Sequence, residues 1–334
     1  MAHLLDFSKG FAAIALAEHT ESAWHGYGNR VGADVPVEQW PAKAGADYIV
    51  AGRNLFYAGI PTTEGKGRPV QVPDRKALIR LDTGAYLSTV GHEYAIVQPI
   101  ELFDFQRQVI DAVGAKMDTA GVLRGGKTIW TLSKVEKSFR IQGQDLVDVY
   151  VLASTTYDGT QASRFQYVTT RVVCDNTLQI AISGSKYGYV SVNHSSKLDV
   201  AAVAAKLIEG EDDISRFVDA ASGLAEIFPT NEQIVEFITR VIPDAFRQKD
   251  GKIEISQPAG KVLALLGRGK GADLKSANGT AWGLVNAVTE YVDHHQRSKD
   301  QGSRLASAWF GQGAQRKETA LEVAKALFLN KEAA

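Results

Sequence analysis

The stretch MDTAGVLRGGKTIWTLSKV, residues 117–135, decides the fold. Two runs rich in apolar and β-branched residues flank the pair Gly125-Gly126, and this pattern predicts a β-hairpin that turns at the two glycines. Further strand-like runs follow, separated by turns near Gly143 and Gly159: SFRIQG, DLVDVYVLASTTYD and ASRFQYVTTRVVCDNTLQIAI. Together these runs predict an antiparallel β-meander.

A helix is expected immediately before this meander, in PIELFDFQRQVIDAVGA, residues 99–115. Pro99 suits the first turn of a helix and Gly114 suits its end. A helix followed by a meander makes a curved antiparallel sheet that is backed by helix. Strand-like runs also precede the helix, and the last third of the chain has helical period, with Thr230 and Gln233 as a capping box.

The predicted fold class is therefore α+β: a curved antiparallel β-meander backed by helices, with a mainly helical C-terminal third. We expect an N-terminal arm and strand-rich segment at 1–97, a helix-plus-meander core at 98–196 and a helical region at 197–334. The role of the glycine-punctuated loop Trp24–Gly28 stays open, and one interpretation is an arm that reaches a neighbouring subunit.

Composition limits the classes of function. Hydrophobic residues make up 45% of the chain, charged residues 22%, and the formal net charge is −1. The chain therefore has no global basic field, and a nucleic-acid contact needs a local basic surface. The single cysteine, Cys174, excludes an intramolecular disulfide and a cysteine-rich zinc site. We expect a protein of the reducing cytoplasm, because no disulfide is available and no apolar stretch reaches the roughly 18 residues of a membrane span.

Cys174 is a candidate nucleophile by residue type alone. A nucleophilic cysteine needs a nearby base, and His194 lies twenty positions further along the chain. Free cysteine is among the most often buried residues, so we interpret Cys174 as part of the core.

The run NAVTEYVDHH offers a second candidate site. Asn286, Glu290 and His294 share one stripe at helical spacing, and Glu290 with Asp293 and His294 could bind a divalent metal or take part in acid–base chemistry. The pattern is not the H-E-x-x-H motif of metalloproteases. Adjacent histidines on a helix also point about 100° apart. We therefore favour a polar helix face that orders neighbouring elements.

Two glycine-rich basic runs resemble phosphate loops only superficially. GRGKGADLK at 267–275 and LRGGKT at 123–128 both lack the G-x-x-x-x-G-K-[ST] pattern. We interpret both as turns that place Lys or Arg at the surface, and we expect no nucleotide cofactor.

A set of cations on the meander is the third candidate. Phe165, Tyr167 and Arg171 share one face of the last strand, because residues two apart on a strand point the same way. Arg164 lies on the opposite face. Single-strand binding proteins combine cations that pair with phosphates and rings that stack on bases. The alternative is a solvated sheet face. The candidate DNA contacts are Arg124, Lys127, Lys134, Arg164, Phe165, Tyr167, Arg171 and Lys186.

Six blocks stand in a fixed order along nearly the whole chain: WHGYG (24–28), HEYAIVQ (92–98), AGVLRGGKTIWTLSKV (120–135), TTRVVCDNTL (169–178), NAVTEYVDHH (286–295) and SAWFGQGAQRKETAL (307–321). In this order they resemble a family of phage- and plasmid-encoded proteins that carries a domain of unknown function. The resemblance implies membership of that family and brings no activity with it.

The order of helix, curved meander and further helix also resembles the single-strand annealing proteins of the Rad-fifty-two type, which phages and plasmids carry for DNA recombination and repair. That resemblance implies a homo-oligomeric ring or arc that holds one DNA strand extended in a basic groove, without a cofactor and without breaking bonds. We therefore expect a cytoplasmic protein that binds and anneals single-stranded DNA beside residues 120–190. The neutral net charge and the longer C-terminal third depart from that pattern.

Two other hypotheses compete with annealing. One is a metal-dependent hydrolase or nuclease, which requires Glu290, Asp293 and His294 to cluster in space with another carboxylate or with His25. The other is a structural or host-interaction protein of a mobile element that binds no ligand.

Overall fold

The computed structural model describes residues 5–18, 20, 28–61, 67–171, 176–179, 189–210, 212–249, 252–299 and 301–329. The fold is α+β, as expected, with mostly antiparallel strands before a helical C-terminal part. No helix within these ranges is both long enough and apolar enough to cross a membrane.

The strands follow one another in chain order as β1 Ile14–Ala17, β2 Asn29–Val31, β3 Val50–Ala58, β4 Pro69–Arg80, β5 Tyr86–Gly91, β6 Ala115–Leu123, β7 Thr128–Ile141, β8 Asp145–Thr156, β9 Ser163–Arg171, β10 Asn176–Gln179, β11 Tyr189–Val192, β12 Phe246–Lys249 and β13 Lys252–Ile255. The helices are α1 Trp40–Lys43, α2 Pro99–Val113, α3 Val200–Glu209, α4 Asp212–Leu224, α5 Asn231–Val241, α6 Gln257–Arg268, α7 Ala281–Glu290, α8 Gln301–Phe310 and α9 Gln312–Ala324. Single π-helical turns continue α7 and α9, at Tyr291–His295 and Lys325–Leu329.

The meander forms the middle of the largest sheet, whose order is β10-β9-β8-β7-β6-β1-β2. Both β10 and β11 pair with β9: β10 pairs with its C-terminal half and β11 with its N-terminal half. Neighbouring strands of this sheet are antiparallel except β1 and β2, which run parallel. A smaller sheet has the order β3-β4-β5, and β12 pairs with β13 alone.

One face of the large sheet packs against α2. A capping box between Gln98 and Glu101 begins this helix, and Gly114 ends it in the left-handed conformation, with φ 64°. The side-chain amide of the buried Gln106 donates to the carbonyls of Thr131 and Val151, at 3.2 and 3.1 Å. These bonds fix α2 across β7 and β8.

The opposite face of the large sheet is covered by α8. Trp130, Leu132 and Leu152 on the strands form a second apolar cluster with Ala306 and Phe310 of that helix. The meander is therefore the central layer of a helix–sheet–helix arrangement, and both of its faces are occupied by packed side chains.

Two strand boundaries differ from the expectation. The run SFRIQG is the end of β7 rather than a strand of its own, although the register shifts between Lys134 and Ser138. The described parts of the run 162–182 are two strands rather than one, because β10 pairs antiparallel with β9, with Asn176 opposite Arg171. The Asp-Asn pair at 175–176 favours such a reversal.

The division into segments at 97 and 196 stays a prediction. The structure places β1 and β2 of the expected N-terminal arm in the large sheet, beside β6, with Ile14 opposite Gly121.

A buried cluster around Arg80 joins the small sheet to the large one. Arg80, the last residue of β4, is 0% exposed. Its guanidinium donates to Asp6 at 2.5 Å and to the two carboxylate oxygens of Asp82 at 3.0 and 2.8 Å. It also lies over the ring of Tyr48, 3.9 Å from the ring centroid. One side chain thus binds the N-terminal segment and the turn that follows β4.

The tip of the β6–β7 hairpin closes over this cluster. Arg80 donates to the carbonyl of Gly125 at 3.4 Å, and the hydroxyl of Tyr48 donates to the carbonyl of Gly126 at 3.1 Å. Burial raises the pKa of Tyr48, so its hydroxyl keeps the proton that this bond needs. Gly126 has a φ of 101°, and a Cβ at this position would lie 2.6 Å from Cδ of Arg80. The hairpin tip therefore requires glycine.

We predict that Arg80→Met lowers the free energy of unfolding by about 3–5 kcal/mol at pH 7, because it leaves the buried Asp6 carboxylate without its partner. Urea unfolding followed by circular dichroism measures the change. Arg107→Gln, which removes an exposed pair with Glu38 at 3.7 Å, is the matched control and should cost less than about 1 kcal/mol. A loss at Arg80 no larger than at Arg107 contradicts the assigned role.

The same cluster makes the free energy of unfolding depend on pH. Burial would raise the pKa of Asp82, but the hydrogen bonds and charge of Arg80, with Lys9, lower it below its usual range. A carboxyl with a lowered pKa in the folded state stabilises the fold above the unfolded pKa of about 3.9 and loses that contribution as pH falls. The difference in stability between wild type and Arg80→Met should therefore shrink between pH 5 and pH 3, measured by the same unfolding titration.

Candidate nucleic-acid interface

The two aromatic residues of the predicted DNA-binding strand are buried. Phe165 and Tyr167 on β9 have no exposed surface, and the Phe165 ring packs on Phe105 of α2 with centroids 4.6 Å apart. Rings held between the sheet and α2 cannot stack on bases. At this position they support the strand from within the core.

Two cations of that set, Lys134 and Arg124, are engaged with carboxylates. Lys134 is half-buried, with Nζ 2.6 Å from Asp148, which also accepts a hydrogen bond from Ser138. Arg124 is exposed and lies 3.6 Å from Asp158. These pairs reduce the positive field that the meander presents to a phosphate chain.

The remaining members of the set are scattered. Arg164 is half-buried beside α9; there burial and Glu322 raise the pKa of Glu318, and Arg164 opposes that rise. Lys127 is half-buried at the hairpin tip. The side chain of Arg171, together with Lys186, Cys174 and residues 24–27 of the N-terminal loop, lies outside the described residues.

The small sheet, by contrast, carries an exposed projection. β5 pairs with β4 from Arg75 to Ile79, and among the described residues no third strand joins β3 and β4 on the far side of Arg75. We call residues 53–60 and 67–75 the ribbon. Within it, Phe56 pairs with Gln71 and Tyr57 with Val70. Neighbouring residues on a strand point to opposite faces, so each face of the ribbon bears one aromatic ring.

Apolar and cationic side chains are exposed together on the ribbon. Phe56 is 57% exposed, Tyr57 56% and Ile60 89%. Arg53, Arg68 and Arg75 are also exposed, and none of them forms an ion pair with a described residue. Asp74 is the acid among the ribbon residues. Rings and unpaired guanidinium groups on a narrow, two-sided element can stack on unpaired bases and neutralise phosphates.

The sequence carries a signal for the ribbon outside the candidate motifs named above. The run NLFYAG puts Phe56 and Tyr57 next to each other, and two consecutive rings on a strand cannot both face one core. Arginines flank the same segment at positions 53 and 68. Two consecutive aromatic residues with arginines on either side therefore predict a strand whose two faces are both open to a partner.

The two carboxylates at the end of α7 have different partners, although His295 also lies 3.6 Å from Glu290. The carboxylate of Glu290 accepts hydrogen bonds from the backbone N–H of Lys270 at 3.1 and 3.3 Å. Asp293, on the π-helical turn, pairs with the buried Lys317 at 2.7 Å. His294 is exposed on the same turn. The side chains of the described residues include no group of three or more His, Cys, Asp or Glu that could hold a metal ion.

The family model named Domain of unknown function (DUF932) matches residues 86–309, which is more than half of the chain, so the chain belongs to this family. The match contains four of the six sequence blocks in full: those at 92–98, 120–135, 169–178 and 286–295. No curated protein and no solved structure matches the chain.

We predict that the Asp293–Lys317 pair is structural. Lys317→Ala should lower the free energy of unfolding by about 3–5 kcal/mol, because it leaves a buried carboxylate unpaired. Chelation with EDTA should leave the melting temperature of the wild type unchanged. Lys325→Gln, which removes a more exposed pair on the same helix, serves as control and should cost about 1 kcal/mol or less.

A metal site at Glu290 and Asp293 would give the opposite pattern. EDTA would then lower the melting temperature, and Mn²⁺ or Mg²⁺ would restore it.

Proposed function

We propose that this protein binds single-stranded DNA and promotes its annealing, and that the ribbon supplies the contacts to bases. The observation that supports this most directly is the joint exposure of Phe56 and Tyr57 beside Arg53, Arg68 and Arg75. Stacking on rings is tolerant of sequence because every base has a flat face, which suits a protein that must accept any strand.

The proposed base contacts lie on the ribbon rather than on the meander. Phe165 and Tyr167 support the sheet from inside. Arg124, which is exposed, and Lys127, which is half-buried, lie at the hairpin tip and remain candidate contacts to phosphates. Annealing would follow from extension and charge neutralisation, because a held strand neither coils nor repels its complement.

The wider setting belongs to the same proposal. The order of the sequence blocks supports a phage or plasmid origin, and the order of helix, meander and helix supports a relationship with annealing proteins that act in recombination and repair. We propose a cytoplasmic homo-oligomer, a ring or an arc, in which neighbouring subunits present their ribbons along one strand.

Fluorescence anisotropy with a labelled single-stranded oligonucleotide tests the proposal. We expect wild-type affinity to fall steeply with salt. The double variant Phe56→Ser, Tyr57→Ser should lose at least about tenfold in affinity, since one stacked base is worth about 1–3 kcal/mol. Arg53→Gln and Arg68→Gln should each reduce the salt slope by about 0.7, the value for one phosphate contact on a single strand.

The β12–β13 hairpin offers the matched control. Ile253 and Arg247 are also exposed on a two-stranded element, so Ile253→Ser and Arg247→Gln should leave binding unchanged. Absence of salt-sensitive binding by the wild type would refute the proposal. If the ribbon variants bind like wild type, the ribbon is not the interface; if they lose oligomerisation instead, the ribbon is a contact between subunits.

A further inference from the structure

A polar cavity of about 310 Å³ lies between the tip of the β6–β7 hairpin and the turn from α8 to α9. Part of its lining is apolar, from Leu123, Ala306 and Phe310. The remainder is made of hydroxyl, amide and guanidinium groups, and the ribbon contributes no residue. Small-molecule sites in proteins begin at about 300 Å³, so the cavity is large enough for a ligand of nucleotide size.

One hydroxyl that lines this cavity has no hydrogen-bond partner among the described residues. Thr128 is 3% exposed and lines the cavity, and its side chain makes no hydrogen bond to any described residue. The neighbouring Thr156, directly opposite on β8, donates instead to the carbonyl of Gln161 at 3.2 Å. A ligand with acceptor oxygens would satisfy Thr128.

Arg124 brings a positive charge to the same cavity. Its backbone is left-handed, with φ 54°, which is uncommon for a residue other than glycine. The turn that imposes this conformation is the one fixed by Arg80 and Tyr48. The guanidinium lies 3.6 Å from Asp158, which partly offsets its charge, and its other N–H groups are free to bind a second anion.

The first turn of α9 also lines the cavity, through Gly311 and Gln312. Gly311 stands at the N-cap of this thirteen-residue helix and has no side chain with which to cap it. The Ser307 hydroxyl accepts a hydrogen bond from the N–H of Gly313 at 3.2 Å and so caps part of this end. The N-terminal end of a helix carries a partial positive charge and unpaired N–H groups, both of which favour a phosphate.

We propose that this cavity binds a nucleotide through its phosphate monoester. The phosphate contacts Thr128, Arg124 and the first turn of α9, and the apolar part of the ligand lies against Leu123, Ala306 and Phe310. The same chemistry is carried by a free nucleoside monophosphate and by the 5′-terminal nucleotide of a phosphorylated DNA strand. This site is separate from the ribbon, so it does not depend on the proposed function.

Isothermal titration calorimetry with deoxythymidine monophosphate tests the site. We expect thymidine and inorganic phosphate to bind at least about tenfold more weakly, because each lacks half of the contacts. Thr128→Val and Arg124→Gln should each lower the affinity for the nucleotide by about tenfold, a change of about 1.4 kcal/mol. Thr128→Ser keeps the hydroxyl and should bind the nucleotide like the wild type. This control separates the effect of losing the hydroxyl from misfolding. Arg107→Gln on α2 should leave the affinity unchanged.

Oligonucleotides with and without a 5′-phosphate identify the source. Tighter binding of the phosphorylated strand that Thr128→Val abolishes assigns the site to strand ends; equal binding assigns it to free nucleotides. The variant Phe56→Ser, Tyr57→Ser should retain nucleotide binding, so failure of the ribbon and failure of the cavity are distinguishable. Absence of heat at millimolar nucleotide, binding that inorganic phosphate matches, or binding indifferent to Thr128→Val overturns the proposal.

Discussion

The buried guanidinium of Arg80 is the interaction on which the arrangement of the two sheets depends. It binds Asp6 and Asp82, stacks on Tyr48 and reaches the carbonyl of Gly125. A buried cation is tolerated only when its donors are satisfied, so these groups must come together in one geometry. Because Arg80 ends β4, the same cluster fixes the root of the ribbon. It also fixes the hairpin tip, and with it one wall of the polar cavity.

A second constraint is that both faces of the meander are covered. On one side Phe165 packs on Phe105 of α2, and on the other Trp130 packs on Phe310 of α8, with ring centroids 6.4 Å apart. A sheet that is the middle layer of a fold has no broad face left for a DNA strand. Surfaces available to a partner therefore lie at the periphery, on the ribbon and at the hairpin tip. The proposed contacts to bases therefore lie on the ribbon and not on β9.

The features that the sequence predicted are those determined by neighbours in the chain. The turn at Gly125-Gly126, the end of α2 at Gly114 and the capping box of Thr230 with Gln233 all depend on local backbone chemistry. The pairing of Ile14 with Gly121 and the cover that α8 places on the sheet depend on residues far apart in sequence, which no local pattern specifies. The burial of Phe165 and Tyr167 follows from the packing of α2 on the other face, which also joins residues far apart in the chain. Alternation alone could show that they share a face with each other, but not which layer would occupy it.

The central claim is that a bound DNA strand lies on the ribbon. Photocrosslinking of a single-stranded oligonucleotide that carries 5-iododeoxyuridine at successive positions, followed by mass spectrometry of the crosslinked peptides, measures this directly. The account predicts crosslinks to the peptide that contains Phe56 and Tyr57, lost when both are changed to serine. Crosslinks confined to the peptide of β9, with none on the ribbon, would contradict it.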